Sequence, residues 1–189
     1  MKLVLASASP RRRELLDRAG LAHQVIPASV DETELPGEEP TAHVARLAAA
    51  KADRVAAQCP DAMVLGADTV VVLAGRIYGK PADPAEAREM LLSLSGAVHE
   101  VLTGVCLVRR DPPWRDAWVC CSHVRFRRLD DALVKRYCAL VNTLDKAGAY
   151  AVQEHGELLV ESVDGLTSNV IGLPIEEVRA RLRRMPLVP

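Results

Sequence analysis

The chain has 189 residues and a formal net charge of −1 at pH 7, and 49% of its residues are hydrophobic whereas only 3% are aromatic. This length suits one compact domain, or one domain divided into two lobes, with a core of Leu, Val and Ala. The nearly neutral charge argues against a protein that coats nucleic acid by electrostatics, although it leaves room for a local basic pocket for one small anion.

The first quarter of the chain predicts a strand, a helix, a second strand and an acidic loop. Residues 2–6 (KLVLA) predict a buried strand, and Pro10 starts a helix that ends at Gly20. Residues 23–28 predict the second strand, and the acidic run 31–40 predicts a solvated loop.

Residues 41–58 predict a helix, because their apolar residues recur at the spacing of one helix face. Lys51 lies on this apolar face, seven residues after Val44. Its aliphatic stem could cover apolar surface while the ammonium group reaches water. Alternatively, the ammonium group points into a cleft.

Residues 62–73 form the most hydrophobic segment and predict a long strand, followed by a hairpin turn at Ala74 and Gly75. Asp68 lies in the middle of this strand. An isolated buried carboxylate is costly, so such a group usually has a cation, a metal ion or a raised pKa as compensation. The structural alternative is a strand end at which Asp68 accepts backbone hydrogen bonds.

The rest of the chain continues the alternation of helices and strands. The predicted elements are a helix that begins at Asp83-Pro84, two antiparallel strands at 98–109 and 115–127, a helix at 130–140, a strand at 157–163 and a helix after Pro174. The pattern predicts an α/β fold, a single domain over 1–189 with a mixed twisted sheet and flanking helices.

Three cationic elements, distant in sequence, could meet at one anion site. The first is the strand-to-helix turn of residues 7–13, SASPRRR, where small residues and a helix N-terminus favour phosphate. The alternative is a solvated basic helix face, and we expect this for at least one of its arginines. The other two are Lys51 and Lys80, which follows Gly79 in a stiff turn. The segment Gly75-x-x-x-Gly79-Lys80 lacks the spacing and the hydroxyl residue of a phosphate-binding loop.

The five cysteines contain no C-x-x-C pair, so we expect free thiols in a reducing compartment. The N-terminal apolar run is too short for a signal peptide, and no apolar segment approaches the ~20 residues needed to span a bilayer. These features predict a cytoplasmic protein with no membrane partner.

Eight blocks of the sequence, in order, resemble the Maf-type nucleoside triphosphate pyrophosphatases over nearly the full length of the chain. The blocks lie at 3–16 (LVLASASPRRRELL), 30–32 (VDE), 46–52 (RLAAAKA), 64–71 (VLGADTVV), 79–83 (GKPAD), 90–105, 144–153 (LDKAGAYAVQ) and 169–174 (NVIGLP). The resemblance implies a Maf- or ITPase-like fold with a central groove between two lobes. It also implies metal-assisted hydrolysis of a nucleoside triphosphate to its monophosphate and pyrophosphate.

The resemblance also implies roles for individual residues. Asp68 would be the general base, and Glu32 would contribute to the site of a divalent cation, Mg²⁺ or Mn²⁺. Which of Glu32 and Asp68 binds the metal ion is left open. The residues that would contact the phosphates are Ser7, Arg11, Arg12, Lys51 and Lys80.

The segments SPRR and KAGAYAVQ resemble the branch of the family that acts on dTTP and UTP, with modified pyrimidine nucleotides left open as substrates. Arg11, Thr69 and Gln153 match the positions tied to the selectivity of this branch, and an amide such as Gln153 suits the imide edge of uracil or thymine. The sequence has Ala-Val before Gln153 where the branch more often has Gly-Ile. The predicted partner is the nucleotide substrate, with no stable nucleic-acid partner, and a homodimer is expected only because twofold assemblies are common.

Two alternatives stay open at this point. One is a pyrophosphatase for non-standard purine nucleotides in the same fold class. The other is a non-catalytic nucleotide- or nucleic-acid-binding regulator of cell division. The presence of Asp68, Lys51 and Lys80 together argues against the second alternative, because a pure binding protein needs no carboxylate beside a triphosphate.

Overall fold

The computed structural model describes residues 2–184. Within this range the chain forms seven strands and six α-helices. The strands are β1 (Leu3–Leu5), β2 (Gln24–Val25), β3 (Met63–Leu73), β4 (Arg76–Tyr78), β5 (Val98–Arg109), β6 (Trp114–Phe126) and β7 (Val160–Asp164). The helices are α1 (Pro10–Arg18), α2 (Pro40–Ala56), α3 (Pro84–Leu94), α4 (Asp131–Leu140), α5 (Thr167–Ile171) and α6 (Ile175–Arg183).

The seven strands form one mixed sheet in the order β2-β1-β3-β5-β6-β7, and β4 pairs with β3 outside this path. Strand β1 is parallel to β2 and to β3, whereas every other pairing is antiparallel. The predicted α/β class with a mixed sheet is therefore confirmed. The predicted hairpin is also present, since β3 and β4 pair antiparallel through a turn in which Ala74 and Gly75 both have positive φ.

One edge of β3 is covered in two places and open between them. Strand β1 pairs with residues 63–65, and β4 pairs with residues 71–73. Strand β5 covers the opposite edge of β3 from residue 64 to residue 72. Residues 66–70, which include Asp68, therefore have no strand partner on the first edge among the described residues, and the two flanking strands leave a gap there.

Helix α2 lies directly against the sheet because two glycines in neighbouring strands remove the side chains between them. A Cβ atom added to Gly66 in β3 would collide with the backbone oxygen of Ala48, and one added to Gly104 in β5 would collide with that of Val44. This close approach lets a side chain of α2 reach the gap beside β3. Lys51 extends from that face of the helix and is 7% exposed.

Several predicted boundaries differ from the structure. The second strand, predicted at 23–28, is reduced to two residues, and the strand predicted at 157–163 begins at Val160 after a turn of 3₁₀ helix at Gly156–Leu158. Helix α5 was not predicted. Within residues 2–184 no helix is both long enough and apolar enough to cross a membrane. The description of the chain as a single domain of two lobes stays a prediction.

Candidate functional site

A groove of about 510 Å³ lies at the open edge of β3. Its walls come from the turn after β1, the acidic loop before α2, α2 itself, the turn after β4, the segment 145–153 and Gly172. All nine residues that the sequence singled out for a site line this groove: Ser7, Arg11, Arg12, Glu32, Lys51, Asp68, Thr69, Lys80 and Gln153. The three cationic elements predicted to meet are therefore within one groove.

Lys51 joins the two carboxylates of the groove. Its Nζ lies 2.7 Å from Oδ1 of Asp68 and 2.6 Å from Oε1 of Glu32. Asp68 is 8% exposed, so its charge is compensated at close range by the ammonium group, as a buried carboxylate requires. The two alternatives for Lys51 each describe one part of its side chain. The stem lies on the apolar face of α2, and the ammonium group faces the groove.

The pKa of Glu32 reflects the positive charge of the groove. Partial burial acts to raise this pKa, but the hydrogen bond and charge of Lys51, with the charges of Lys80 and Arg12, lower it below its ordinary value. Glu32 is therefore ionised at neutral pH. The oxygens of Glu32 and Asp68 converge on one point, now held by the Lys51 ammonium group, and paired carboxylate oxygens of this kind fit a hard divalent cation.

Arg12 has most of its hydrogen-bonding capacity occupied by the protein. Its Nε donates to the carbonyl oxygen of Gly172 at 2.8 Å, and one terminal nitrogen donates to Ser7 Oγ at 3.1 Å and to the carbonyl oxygen of Ala67 at 2.9 Å. The other terminal nitrogen donates to Thr69 Oγ1 at 3.1 Å. A guanidinium group has five N–H donors, so one is left for a ligand. Arg12 thus fixes the floor of the groove and adds a positive charge to it.

Arg11 crosses the groove to the segment after α4. It donates to the carboxylate of Asp145 at 3.0 Å and to the backbone oxygen of Asp145, also at 3.0 Å. Partial burial acts to raise the pKa of Asp145, but hydrogen bonds and charge from Lys146 and Arg11 lower it. Arg13, the third arginine of the turn, is exposed and does not line the groove, in agreement with the expectation that one arginine is only solvated.

The turn between β1 and α1 presents a free hydroxyl donor at a helix N-terminus. Ser9 caps α1 by accepting from the backbone N–H of Arg12 at 3.4 Å. The oxygen of Ser7 accepts hydrogen bonds from the backbone N–H of Ser9 and from the guanidinium group of Arg12. Its own O–H stays available to donate, and the positive end of the helix dipole favours an anion at this position.

Lys80 and Gln153 line the groove from exposed positions. Within residues 2–184, Lys80 forms no ion pair, and its charge is felt at Glu32. Gln153 lies at the end of the 145–153 segment. These two side chains are therefore free to contact a ligand without first losing a partner of comparable strength.

Sequence reasoning missed the residues that hold the 145–153 segment in place. Lys146 is 3% exposed, and its Nζ contacts the backbone oxygen of Asn142 at 2.7 Å, Asp145 at 2.8 Å and Glu154 at 3.2 Å. The matching block LDKAGAYAVQ was noticed, but only Gln153 was assigned a role. A lysine next to an aspartate within that block was the available signal.

Tyr150 also lines the groove, and its hydroxyl group contacts the side chain of a buried histidine, His99. The Nε2 of His99 lies 2.8 Å from the hydroxyl oxygen of Tyr150. Burial lowers the pKa of His99 to about 4, so its imidazole is neutral at physiological pH. The rings of His99, Phe126 and Tyr150 pack edge to face with centroids 4.8–5.4 Å apart. This aromatic cluster makes the wall of the groove at Tyr150 rigid.

The chain is similar to known proteins over nearly its whole length. A family model described as Maf-like protein matches residues 2–185. A dTTP/UTP pyrophosphatase from Syntrophus aciditrophicus (strain SB) is 47% identical over 184 residues, covering 97% of this chain and 90% of the relative. One from Anaeromyxobacter dehalogenans (strain 2CP-C) is 52% identical over 186 residues, covering 97% and 93%. One from Anaeromyxobacter sp. (strain Fw109-5) is 50% identical over 188 residues, covering 97% and 89%.

These matches extend over nearly the whole chain, as did the eight sequence blocks. Relatives that match over nearly the whole chain at this level of identity share its fold. The chain belongs to the Maf-like protein family.

Proposed function

We propose that this protein hydrolyses dTTP and UTP to the corresponding monophosphate and pyrophosphate, and that the reaction takes place in the groove at the open edge of β3. One observation carries the proposal: two carboxylates, Glu32 and Asp68, meet the cationic side chains of Arg11, Lys51 and Lys80 in one groove. This combination suits a polyanionic substrate together with a divalent cation. The names of the relatives support the choice of nucleotide.

The phosphates are held by the positive end of the groove. Ser7 donates its free O–H to a phosphate oxygen, and the N-terminus of α1 adds its dipole. Lys80 and Arg11 contribute charged donors, and Arg12 contributes charge and its remaining N–H. Because Arg12 is already fixed by four protein acceptors, these groups need little reorganisation when the substrate binds.

Glu32 and Asp68 would hold a divalent cation, Mg²⁺ or Mn²⁺. Both offer carboxylate oxygens at the same point of the groove, which is the ligand type that such cations prefer. When bound, the cation supplies positive charge that neutralises phosphate oxygens. Lys51 would then contact the phosphates, since it borders the same space as the two carboxylates.

Asp68 acts as the general base. Its carboxylate accepts the proton of a water molecule that attacks the α-phosphorus, and the bond between the α-phosphorus and the bridging oxygen breaks to release pyrophosphate. In the structure the ammonium group of Lys51 lies 2.7 Å from the carboxylate of Asp68, so its positive charge offsets the negative charge of that carboxylate. Lys51 and Lys80 stabilise the negative charge that develops on the leaving pyrophosphate.

The base of the nucleotide is read by Gln153 together with Arg11 and Thr69. The Gln153 amide both donates and accepts, which matches the alternating acceptor and donor groups of the uracil or thymine imide edge. Gln153 and Tyr150 both line the groove, which supports a role of this segment in binding the base. Thr69 is held by Arg12 and by the hydroxyl oxygen of Thr103 at 2.9 Å.

The proposal includes the cellular setting. The protein works in the cytoplasm, since all five cysteines are free thiols in the structure. Its partner is the nucleotide, without a stable nucleic-acid partner, in line with the net charge of −1. It forms a homodimer, for which the general frequency of twofold assemblies is the only support.

The proposal is tested by pyrophosphate release with Mg²⁺ or Mn²⁺ over dTTP, UTP, CTP, GTP, 7-methyl-GTP and ITP. Preference for dTTP and UTP is expected. If the protein prefers a purine nucleotide, the proposed reaction stands but the proposed role of Gln153 is overturned. No turnover of any nucleotide would overturn the enzymatic function itself. With dTTP in ¹⁸O-labelled water, we expect the label in the monophosphate, because attack at the α-phosphorus places the water oxygen there.

A further inference from the structure

A second cluster of metal-ligating side chains lies outside the groove, on neighbouring strands of the sheet. Glu100 in β5 is paired directly with His123 in β6, and Cys121 lies two residues before His123 on the same face. One ligand atom from each of the three residues lies within 4.8 Å of the others. The Nε2 of His123 is 3.6 Å from Oε1 of Glu100. None of the three lines the groove.

The sheet register adds a fourth side chain at the same place. Asp164 in β7 is paired with His123 from the other side, so it projects from the same face of the sheet. Glu100 and Asp164 thus flank His123 with two carboxylates. The backbone ladder of three strands fixes these positions, so the spacing does not depend on a flexible loop.

The types of donor identify the cation. Imidazole nitrogen, thiolate sulfur and carboxylate oxygen together are the ligands of Zn²⁺, whereas Mg²⁺ and Mn²⁺ prefer oxygen alone. The pair in the groove, Glu32 and Asp68, offers carboxylate oxygens. The two clusters therefore differ in the metal ion that each fits.

Cys121 would bind the cation through its sulfur atom. On binding, the metal–sulfur bond forms and the thiol proton leaves to solvent.

We propose that Glu100, Cys121 and His123 form a zinc-binding site on the surface of the sheet, with Asp164 as a further ligand or as the partner of a zinc-bound water. Three protein ligands leave a fourth position for water. The site joins β5 to β6, and through Asp164 to β7, so its occupancy stabilises this half of the sheet. It lies on the face of the sheet that also carries Asp68.

Cobalt(II) titration of the metal-free protein tests the site. Only a thiolate ligand gives an intense sulfur-to-cobalt charge-transfer absorption, and no cysteine lines the groove, so the band reports on Cys121 and not on the catalytic metal. We expect the band to saturate at one equivalent per chain and to disappear when Zn²⁺ is added. The band should be absent from Cys121→Ser and unchanged in Cys59→Ser, which alters a free thiol elsewhere.

His123→Asn should weaken cobalt binding at least about tenfold, as expected for loss of one ligand. His155→Asn, which changes another exposed histidine beside a carboxylate, should leave the binding unchanged. Absence of the band from the unaltered protein, or its persistence in Cys121→Ser, would overturn the proposal. Pyrophosphate release with Mg²⁺ is measured separately, so failure of the zinc site leaves the proposed enzymatic function untouched.

Discussion

Lys51 in α2 and Asp68 in β3 form a buried ion pair, with Nζ 2.7 Å from Oδ1 and both side chains about one tenth exposed. The pair exists because Gly66 and Gly104 let α2 lie directly on the sheet, opposite the open edge of β3. The carboxylate of Asp68 is thereby paired with an ammonium group in the groove. The packing of one helix and the chemistry of the groove are therefore linked.

Because α2 packs closely on the sheet, a single added methyl group at Gly104 should strongly lower the free energy of unfolding. Gly104→Ala places a Cβ against the backbone oxygen of Val44, and a backbone atom cannot rotate away. We expect the free energy of unfolding to fall by about 1–3 kcal/mol or more, measured by urea denaturation. Gly79→Ala is the control, since a Cβ there meets nothing within 4 Å and its stability should hardly change. Equal stability of the two variants would contradict the packing argument.

Arg12 and Arg13 should differ in how much they contribute to the stability of the protein. Arg12→Lys leaves several of four buried or half-buried acceptors without a donor, since a lysine cannot reproduce the planar fork. We expect a loss of at least about 2 kcal/mol of unfolding free energy. The matched variant Arg13→Lys changes an exposed residue of the same turn and should stay within about 0.5 kcal/mol of the parent.

Arg11 should affect substrate binding more than stability. Its guanidinium group lines the groove, and its hydrogen bonds within the part of the chain that the structure describes go to Asp145, from which a phosphate can draw it. For Arg11→Ala we expect KM for dTTP to rise at least about tenfold, as for loss of a charge-assisted hydrogen bond. Arg13→Ala should change KM less than about twofold, because its side chain does not line the groove. Similar KM values in the two variants would rule out a substrate contact by Arg11.

The acidic loop before α2 predicts a dependence of stability on pH. Hydrogen bonds from Arg46, together with His43, lower the pKa of Glu38 to about 2 from an ordinary value of 4.5. A depressed carboxylate pKa contributes stability that is present above pH 4.5 and is lost as the pH falls toward 2.

Glu38→Gln removes this contribution. We expect its Tm to lie below that of the parent protein at neutral pH, and the difference to shrink steadily once the pH falls below 4.5. The control is Glu39→Gln at the neighbouring position, where the side chain makes no capping hydrogen bond to α2. A Tm difference between parent and Glu38→Gln that stays constant down to about pH 3 would contradict the assignment.

The long elements could be predicted from sequence because their signals are local. The hydrophobic run of β3, the turn at Ala74 and Gly75, and the start of α3 at Asp83-Pro84 each depend on neighbouring residues. Helix α5 has only five residues, three of them β-branched and one asparagine, so its local preference is weak and tertiary packing decides it. Strand β2 also could not be bounded from sequence, since only two of its residues pair with β1.

The residues of the site could be predicted from the sequence, but the contacts between them could not. Lys51 could be singled out because a lysine is unusual on an apolar helix face, and Asp68 because an aspartate is unusual in a hydrophobic strand. Their pairing could not be predicted, because it requires the long-range packing of α2 on β3. Sequence alone gave no reason to place Asp145 opposite Arg11, more than a hundred residues away. The saturation of Arg12 by protein acceptors also depends on Gly172, from the far end of the chain.

The central claim is that the groove is an active site in which Asp68 is the general base. The most direct measurement is steady-state pyrophosphate release from dTTP by Asp68→Asn, with Asp61→Asn as control in the exposed turn before the same strand. We predict that kcat falls by roughly 10²–10⁴-fold for Asp68→Asn and stays unchanged for Asp61→Asn, with both proteins folded by circular dichroism. Near-normal turnover by folded Asp68→Asn would contradict the account.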